Sequence, residues 1–121
     1  MATSSENSNS ESGFKRKFPR RRFQRAMGLL FGGDYLVSTG AEIGEGGLAI
    51  TVPHEFAMGA KAVISFQIPG GSFICVQVEL RNSQKNKSTG LFTLGCVFRN
   101  LKFDHKREIR SYVSARSELE Q

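Results

Sequence analysis

Tryptophan is absent, and cysteine, histidine, tyrosine and proline are scarce: two Cys, two His, two Tyr and three Pro in 121 residues. Each shortage removes a class of chemistry. Cys75 and Cys96 are far apart and have no histidine at metal-ligand spacing, so the sequence spells neither a zinc site nor a disulfide framework. Both fall in apolar, strand-like runs and are expected as buried thiols in a reducing compartment, the cytoplasm. His54 and His105 stand alone beside turns and are expected at the surface, and His54-Glu55 lacks the second histidine of a zinc helix. No Ser/His/Asp or Cys/His set, no paired carboxylates and no phosphate-cradling loop can be picked out, so no residue pattern supports an enzyme. A run of roughly 18 apolar residues, which a membrane-spanning helix needs, is also missing. The polar N-terminus shows no secretory leader, and Ala2 excludes N-myristoylation.

Acidic residues are the minority charge, eleven against seventeen basic, for a net +6. The excess is local. Lys15, Arg16, Lys17, Arg20, Arg21, Arg22 and Arg25 fall within one short stretch, and the rest of the chain is close to neutral. Charge concentrated in this way predicts one localised anionic partner and not a polyanion coat.

The length suits one domain. Residues 1–13, rich in Ser, Asn and Glu, have almost nothing to bury and are expected as a disordered tail. Residues 14–25 form a basic arm with Phe14, Phe18 and Phe23 interleaved. Pro19 disfavours helix at Phe18, so the arm is expected to be extended, with its aromatics anchoring it on its own domain. Such dense like charge predicts mobility in the free protein. From Ala26 the period is two. Ala26–Phe31 ends at Gly32-Gly33-Asp34. Tyr35, Val37, Thr39, Ala41 and Ile43 then read as one strand face, followed by Leu48, Ile50 and Val52. Ala62, Ile64, Phe66 and Ile68 form another face, as do Ile74, Val76, Val78 and Leu80, and finally Phe92, Leu94, Cys96 and Phe98. Residues 82–89 are expected as a loop. At the end the period changes: Asp104 can cap a helix carrying Ile109, Tyr112 and Val113, with Leu101 and Phe103 packing where it meets the sheet. About six short strands and one C-terminal helix over residues 26–118 indicate a mostly β, antiparallel barrel or sandwich.

Two motifs resemble those of a known family. Arg21-Arg22-Phe23-Gln24-Arg25 fits RxxxR, directly ahead of the first strand. Glu42-Ile43-Gly44-Glu45-Gly46-Gly47, followed by Leu48-Ala49-Ile50, is similar to the (D/N)xSxxG element of PilZ domains, with Glu42 standing for Asp or Asn and Gly44 for Ser. Leu94-Gly95-Cys96-Val97-Phe98 resembles a late strand of the same family. The resemblance covers roughly residues 16–116. It implies a six-stranded PilZ-type barrel with a C-terminal helix, and a receptor for cyclic di-GMP, the bacterial second messenger of motility and biofilm signalling. The residues it assigns to ligand are Arg21 and Arg25, with Arg20 accompanying them, and Glu42, Gly44 and Gly47. It implies no metal or other cofactor.

Guanidinium groups suit such a ligand, because their planar fork can chelate guanine O6 and N7, bridge to phosphate oxygens or stack on a purine. Glu42 keeps a carboxylate for guanine N1 and N2. Gly44 lacks a hydroxyl, which costs on the order of 1 kcal/mol, less than one arginine contact. Weakened, not abolished, binding is the expectation. Ligand would neutralise the arm and clamp it on the barrel, altering the surface offered to a protein target. Two alternatives stay open. One is a degenerate interaction module without nucleotide binding, in which Glu42–Gly47 is only a glycine bulge. The other is a barrel holding RNA or DNA through the basic arm.

Overall fold

The computed structural model describes residues 19–119, with side chains as far as Ala115. Seven strands and one helix follow in order: β1 (Arg20–Arg22), β2 (Ala26–Phe31), β3 (Asp34–Gly44), β4 (Gly47–Val52), β5 (Lys61–Gln67), β6 (Phe73–Lys85), β7 (Phe92–Arg99) and α1 (Phe103–Leu119). All pairings are antiparallel. The order β3-β2-β5-β6-β7-β4 closes on itself through β3–β4, giving the expected six-stranded barrel. Closure leaves the ring no open edge.

The strand faces expected on β4 to β7 are the ones that fill the barrel. Ile50, Ile64, Phe66, Ile74, Val78, Leu80 and Leu94 are all essentially inaccessible. On α1, Ile109 and Val113 are buried and Tyr112 half-buried, so the helix turns its apolar stripe onto the barrel. Asp104 stands in its first turn, where a carboxylate favours the helix dipole.

β3 departs from expectation in its first half. Tyr35 and Val37 are 63% and 64% exposed, while Leu36 packs against the core and Ile43 is fully buried. The register against β4 slips between Gly40 and Glu42, and that bulge moves the inward phase by one residue. A second slip, between Leu80 and Asn82, marks β6. β6 continues to Lys85, so the first half of the expected loop over 82–89 is strand and the second half is the turn. Its hydrogen bonds run on to the tip, where Asn86 N donates to Leu91 O at 2.8 Å and Gly90 N to Asn86 O at 2.7 Å. Leu101 packs as expected, but Phe103 is 67% exposed.

The segment expected as a basic arm lies partly outside the described residues, with Phe14 and Phe18 among the excluded ones. In its described part the chain is laid into the sheet. β1 pairs with the end of β3 (Arg20 opposite Gly44, Arg22 opposite Glu42), along the edge that β2 uses further down. Phe23 N donates to Ala41 O at 2.9 Å and Gly40 N to Arg25 O at 2.8 Å, so backbone hydrogen bonds bridge the gap between β1 and β2. Phe23 itself is 1% exposed. Its ring meets Phe66 and Tyr112 edge-on at 5.8 Å each, joining the segment to both barrel and helix.

The cysteines part company. Cys96 is buried, but Cys75 points outward and is exposed. Burial pushes the Cys96 thiol from its ordinary 9.0 up to about 12. Because the folded value is the higher one, stability is unaffected below about pH 9 and declines above it, as the unfolded chain ionises while the folded one does not. At pH 8 a thiol reagent should modify one cysteine rapidly in the native protein and two in denaturant; rapid reaction of both in the native protein would contradict this burial.

Candidate ligand-binding site

β1 delivers its arginines alternately to two sides, as successive residues of a strand must. Arg20 and Arg22 share the side of their β3 partners Gly44 and Glu42. The Arg20 guanidinium reaches Glu42 Oε1 at 3.4 Å, with both side chains more than a third exposed, so the pair is loose and solvent-screened. Gly44 makes this approach possible. A Cβ there would lie 2.9 Å from the Pro19 carbonyl oxygen and 3.1 Å from Arg20 Cγ.

Beside this pair the outer face of the barrel is concave, with a volume of about 280 Å³. Arg20 and Glu42 form one side, Gly47 and Ala49 belong to the floor, and Arg81 and Asn82 of β6 line the hollow as well. Gly47 has a structural duty of its own. A Cβ at this position would stand 2.0 Å from the Cys96 carbonyl oxygen, inside the backbone of β7. Gly47→Ala is therefore expected to lower the unfolding free energy by about 3 kcal/mol and Tm by about 10 °C or more, since backbone cannot rotate aside. Thermal melts check this, and an unchanged Tm would remove the steric role.

Arg21 turns the other way, to α1. It donates to the Tyr112 carbonyl oxygen at 3.0 Å and lies over the Tyr112 ring, 4.0 Å from its centroid. The β3–β4 turn is tied to the same helix. Arg110 donates to Glu45 Oε2 through Nε at 3.0 Å and through a terminal nitrogen at 2.5 Å. Among the described residues Glu45 is the only buried charged one. Arg110 holds its carboxyl below the usual value against the opposing push of burial, helped by the charge of Lys106. A lowered carboxylate contributes stability above its ordinary pKa of 4.5 and loses it as pH falls through the lowered value, so this tie weakens only in acid. Further along α1, Glu108 accepts from Ser72 N at 2.8 Å and from Ser72 Oγ at 2.5 Å, clamping the β5–β6 turn.

The PilZ domain profile matches residues 14–115, nearly all of the described barrel and helix. The chain belongs to the PilZ domain family. No curated protein sequence matches it. Solved structures agree in fold. The Bacillus subtilis inhibitor of motility MotI/DgrA matches at TM-score 0.81 and 12% identity over 89% of this chain and 54% of its own. The K. pneumonia MrkH–c-di-GMP complex matches at 0.67 and 19% over 89% and 54%. The PilZ domain of Escherichia coli YcgR, solved with c-di-GMP, matches at 0.65 and 12% over 89% of this chain and 99% of that domain. The chain thus spans about half the length of MotI/DgrA and MrkH, and nearly all of the isolated YcgR domain.

Among the residues that the PilZ motifs single out, Arg20, Glu42 and Gly47 come together around one concavity. Gly44 is adjacent, roofed by Pro19 and Arg20. Arg21 is engaged with the helix, and Arg25 is exposed and is not among the lining residues. The motif spacing RxxxR also joins Arg16 to Arg20, although Arg16 lies outside the described residues. In a run of arginines the spacing alone cannot choose the frame, and the register sets Arg20 opposite Gly44. Arg81 and Asn82 carried no motif signal and are recognisable only once β6 is wrapped beside β7. Among the described residues, no cluster of three or more His, Cys, Asp or Glu is placed to hold a metal, and no helix is long and apolar enough to cross a membrane.

Proposed function

We propose that this PilZ domain is a receptor for cyclic di-GMP that works as a cytoplasmic adaptor, and not as an enzyme, in bacterial motility or biofilm signalling. The observation that carries this function is the meeting of Arg20, from the arginine-rich segment, with Glu42 and Gly47, from the second motif, at one exposed hollow. Relatives solved with c-di-GMP, MrkH and YcgR, support the same ligand. Among the described residues Arg20 is held by a loose, exposed ion pair, so an anionic or purine ligand can take over its guanidinium at small cost. Arg16, four residues earlier and with the same motif relation, is its natural companion. Glu42 then serves the N1 and N2 edge of guanine.

The response to ligand is a change in segment 14–25 and in its hold on α1. Arg21 and Glu45 both grip the helix, one on β1 and the other within the second motif, so a ligand that draws on either motif alters how α1 is held. A protein target that docks against α1 would sense that change.

Calorimetric titration with cyclic di-GMP tests the receptor function: saturable binding in the micromolar range or tighter is expected. The competing possibility, an interaction module without nucleotide, draws on a specific observation, since Gly44 offers no hydroxyl and its surroundings are already filled by Pro19 and Arg20. Silence at high micromolar ligand would decide for that module. Steeply salt-dependent binding to unrelated oligonucleotides would decide for nucleic acid.

A further inference from the structure

Registers across the outer face line up four residues in one row. Glu42 on β3 is opposite Ala49 on β4, Ala49 is opposite Gly95 on β7, and Gly95 is opposite Asn82 on β6. The middle of the row is therefore built from two of the smallest side chains, and each end carries a polar one. Three strand spacings separate the ends, about 14 Å, which leaves room for a flat base between inward-reaching side chains. Asn82 reaches inward: its amide group occupies the place of a Gly95 side chain, with Oδ1 and Nδ2 2.7 and 2.9 Å from where a Cβ would be.

The β6 bulge adds a second group to the same end. Arg81 is the extra residue between Leu80 and Asn82, and a bulge bends the strand and re-aims its side chain. Its side chain is 53% exposed and its guanidinium only loosely held, 3.4 Å from Glu79, a carboxylate that already accepts from Arg99 Nε at 3.1 Å. It also lines the hollow, across the floor from Arg20. On the near side the hydroxyl position of the family motif is a glycine closed in by Pro19, so donors for a second edge of the ligand have to come from the far side.

We infer that Arg81 and Asn82 form the base-reading wall of the ligand site: one guanine of a cyclic dinucleotide lies on the Ala49–Gly95 floor, with Arg81 and Asn82 on its O6/N7 edge and Glu42 facing the opposite end. This rests on the receptor function proposed above. A guanidinium fork matches the paired acceptors O6 and N7 of guanine, whereas adenine presents a donor in place of O6. Discrimination between the two purines is thus the property that this wall controls. The hollow, about 280 Å³, suits one base with part of its sugar and leaves the phosphates toward Arg20.

The experiment titrates the full chain and its Arg81→Ala, Arg81→Lys and Asn82→Ala variants with cyclic di-GMP and cyclic di-AMP. Both positions are exposed, so the variants keep the fold, and a thermal melt verifies it. Arg81→Ala and Asn82→Ala should each weaken cyclic di-GMP about tenfold, and Arg81→Ala should also narrow its advantage over cyclic di-AMP. Arg81→Lys, which keeps the charge and loses the fork, should recover affinity more than discrimination. Alanine variants that bind within about twofold of the unaltered chain would overturn the wall while leaving the receptor intact. Lost affinity with unchanged discrimination in Arg81→Ala would also overturn it, since that is what an unspecific positive charge does. If the unaltered chain binds neither dinucleotide, the proposed function falls and the wall with it.

Discussion

Changing both Arg16 and Arg20 to alanine should weaken cyclic di-GMP binding by about 10²–10⁴-fold, because each arginine contact to a charged or multiply accepting group is worth about 1.5–3 kcal/mol. The pair Arg21→Ala plus Arg25→Ala should cost far less, under about tenfold. Arg21 already spends its guanidinium on the Tyr112 carbonyl and ring, and Arg25 does not line the hollow. Calorimetry on the two double variants compares the frames directly. Equal losses would mean that the arginines act as a pool of charge, and a larger loss from Arg21 and Arg25 would return the ligand to that pair. The Arg21 variant should have a separate signature, faster amide exchange in α1 around Tyr112, whether or not ligand is present.

Phe23→Ala should lower the unfolding free energy by about 3–5 kcal/mol, among the largest effects open to a single side chain of a domain stabilised by about 5–15 kcal/mol. The ring is buried where strand ladder, barrel and helix meet, edge-on to both Phe66 and Tyr112. Its loss leaves a cavity that neither the closed sheet nor the capping helix can collapse into. Urea titration reads the change. Because Phe23 also anchors β1, the variant should release Arg20 from Glu42 and weaken ligand binding, even where enough folded protein remains to measure it. A destabilisation below about 1 kcal/mol would show the segment to be dispensable to the core.

Much of the architecture is legible in the chain without coordinates. Strict alternation at Ala62–Ile68, Ile74–Leu80 and Phe92–Phe98 names both the strands and their inward faces, because a period of two leaves one face for the core. The shift to 3.6 spacing at Ile109, Tyr112 and Val113 names the helix for the same reason. Alternation fails at β3, where Tyr35 and Val37 were expected to share a face with Ile43. A bulge changes the phase without changing the composition, so no local pattern could reveal that they point outward. Phe103 and Cys75 were misplaced for a related reason: apolar character states a preference for burial but not which side of a strand or helix end is covered.

At the candidate site the division is sharper. The amino-acid order by itself determined that a cluster of arginines precedes a small barrel, and that a glycine-rich turn with a carboxylate follows at the family's spacing. Charge density and motif spacing are local properties, readable along the chain. Which arginine meets Glu42, that Arg21 serves the helix, that Gly47 makes room for β7 and that Arg81 and Asn82 face the same hollow were decided only by the tertiary structure. These depend on cross-strand register and barrel closure, which bring residues some 20 to 90 positions apart side by side, and register is set by the summed packing of the whole sheet.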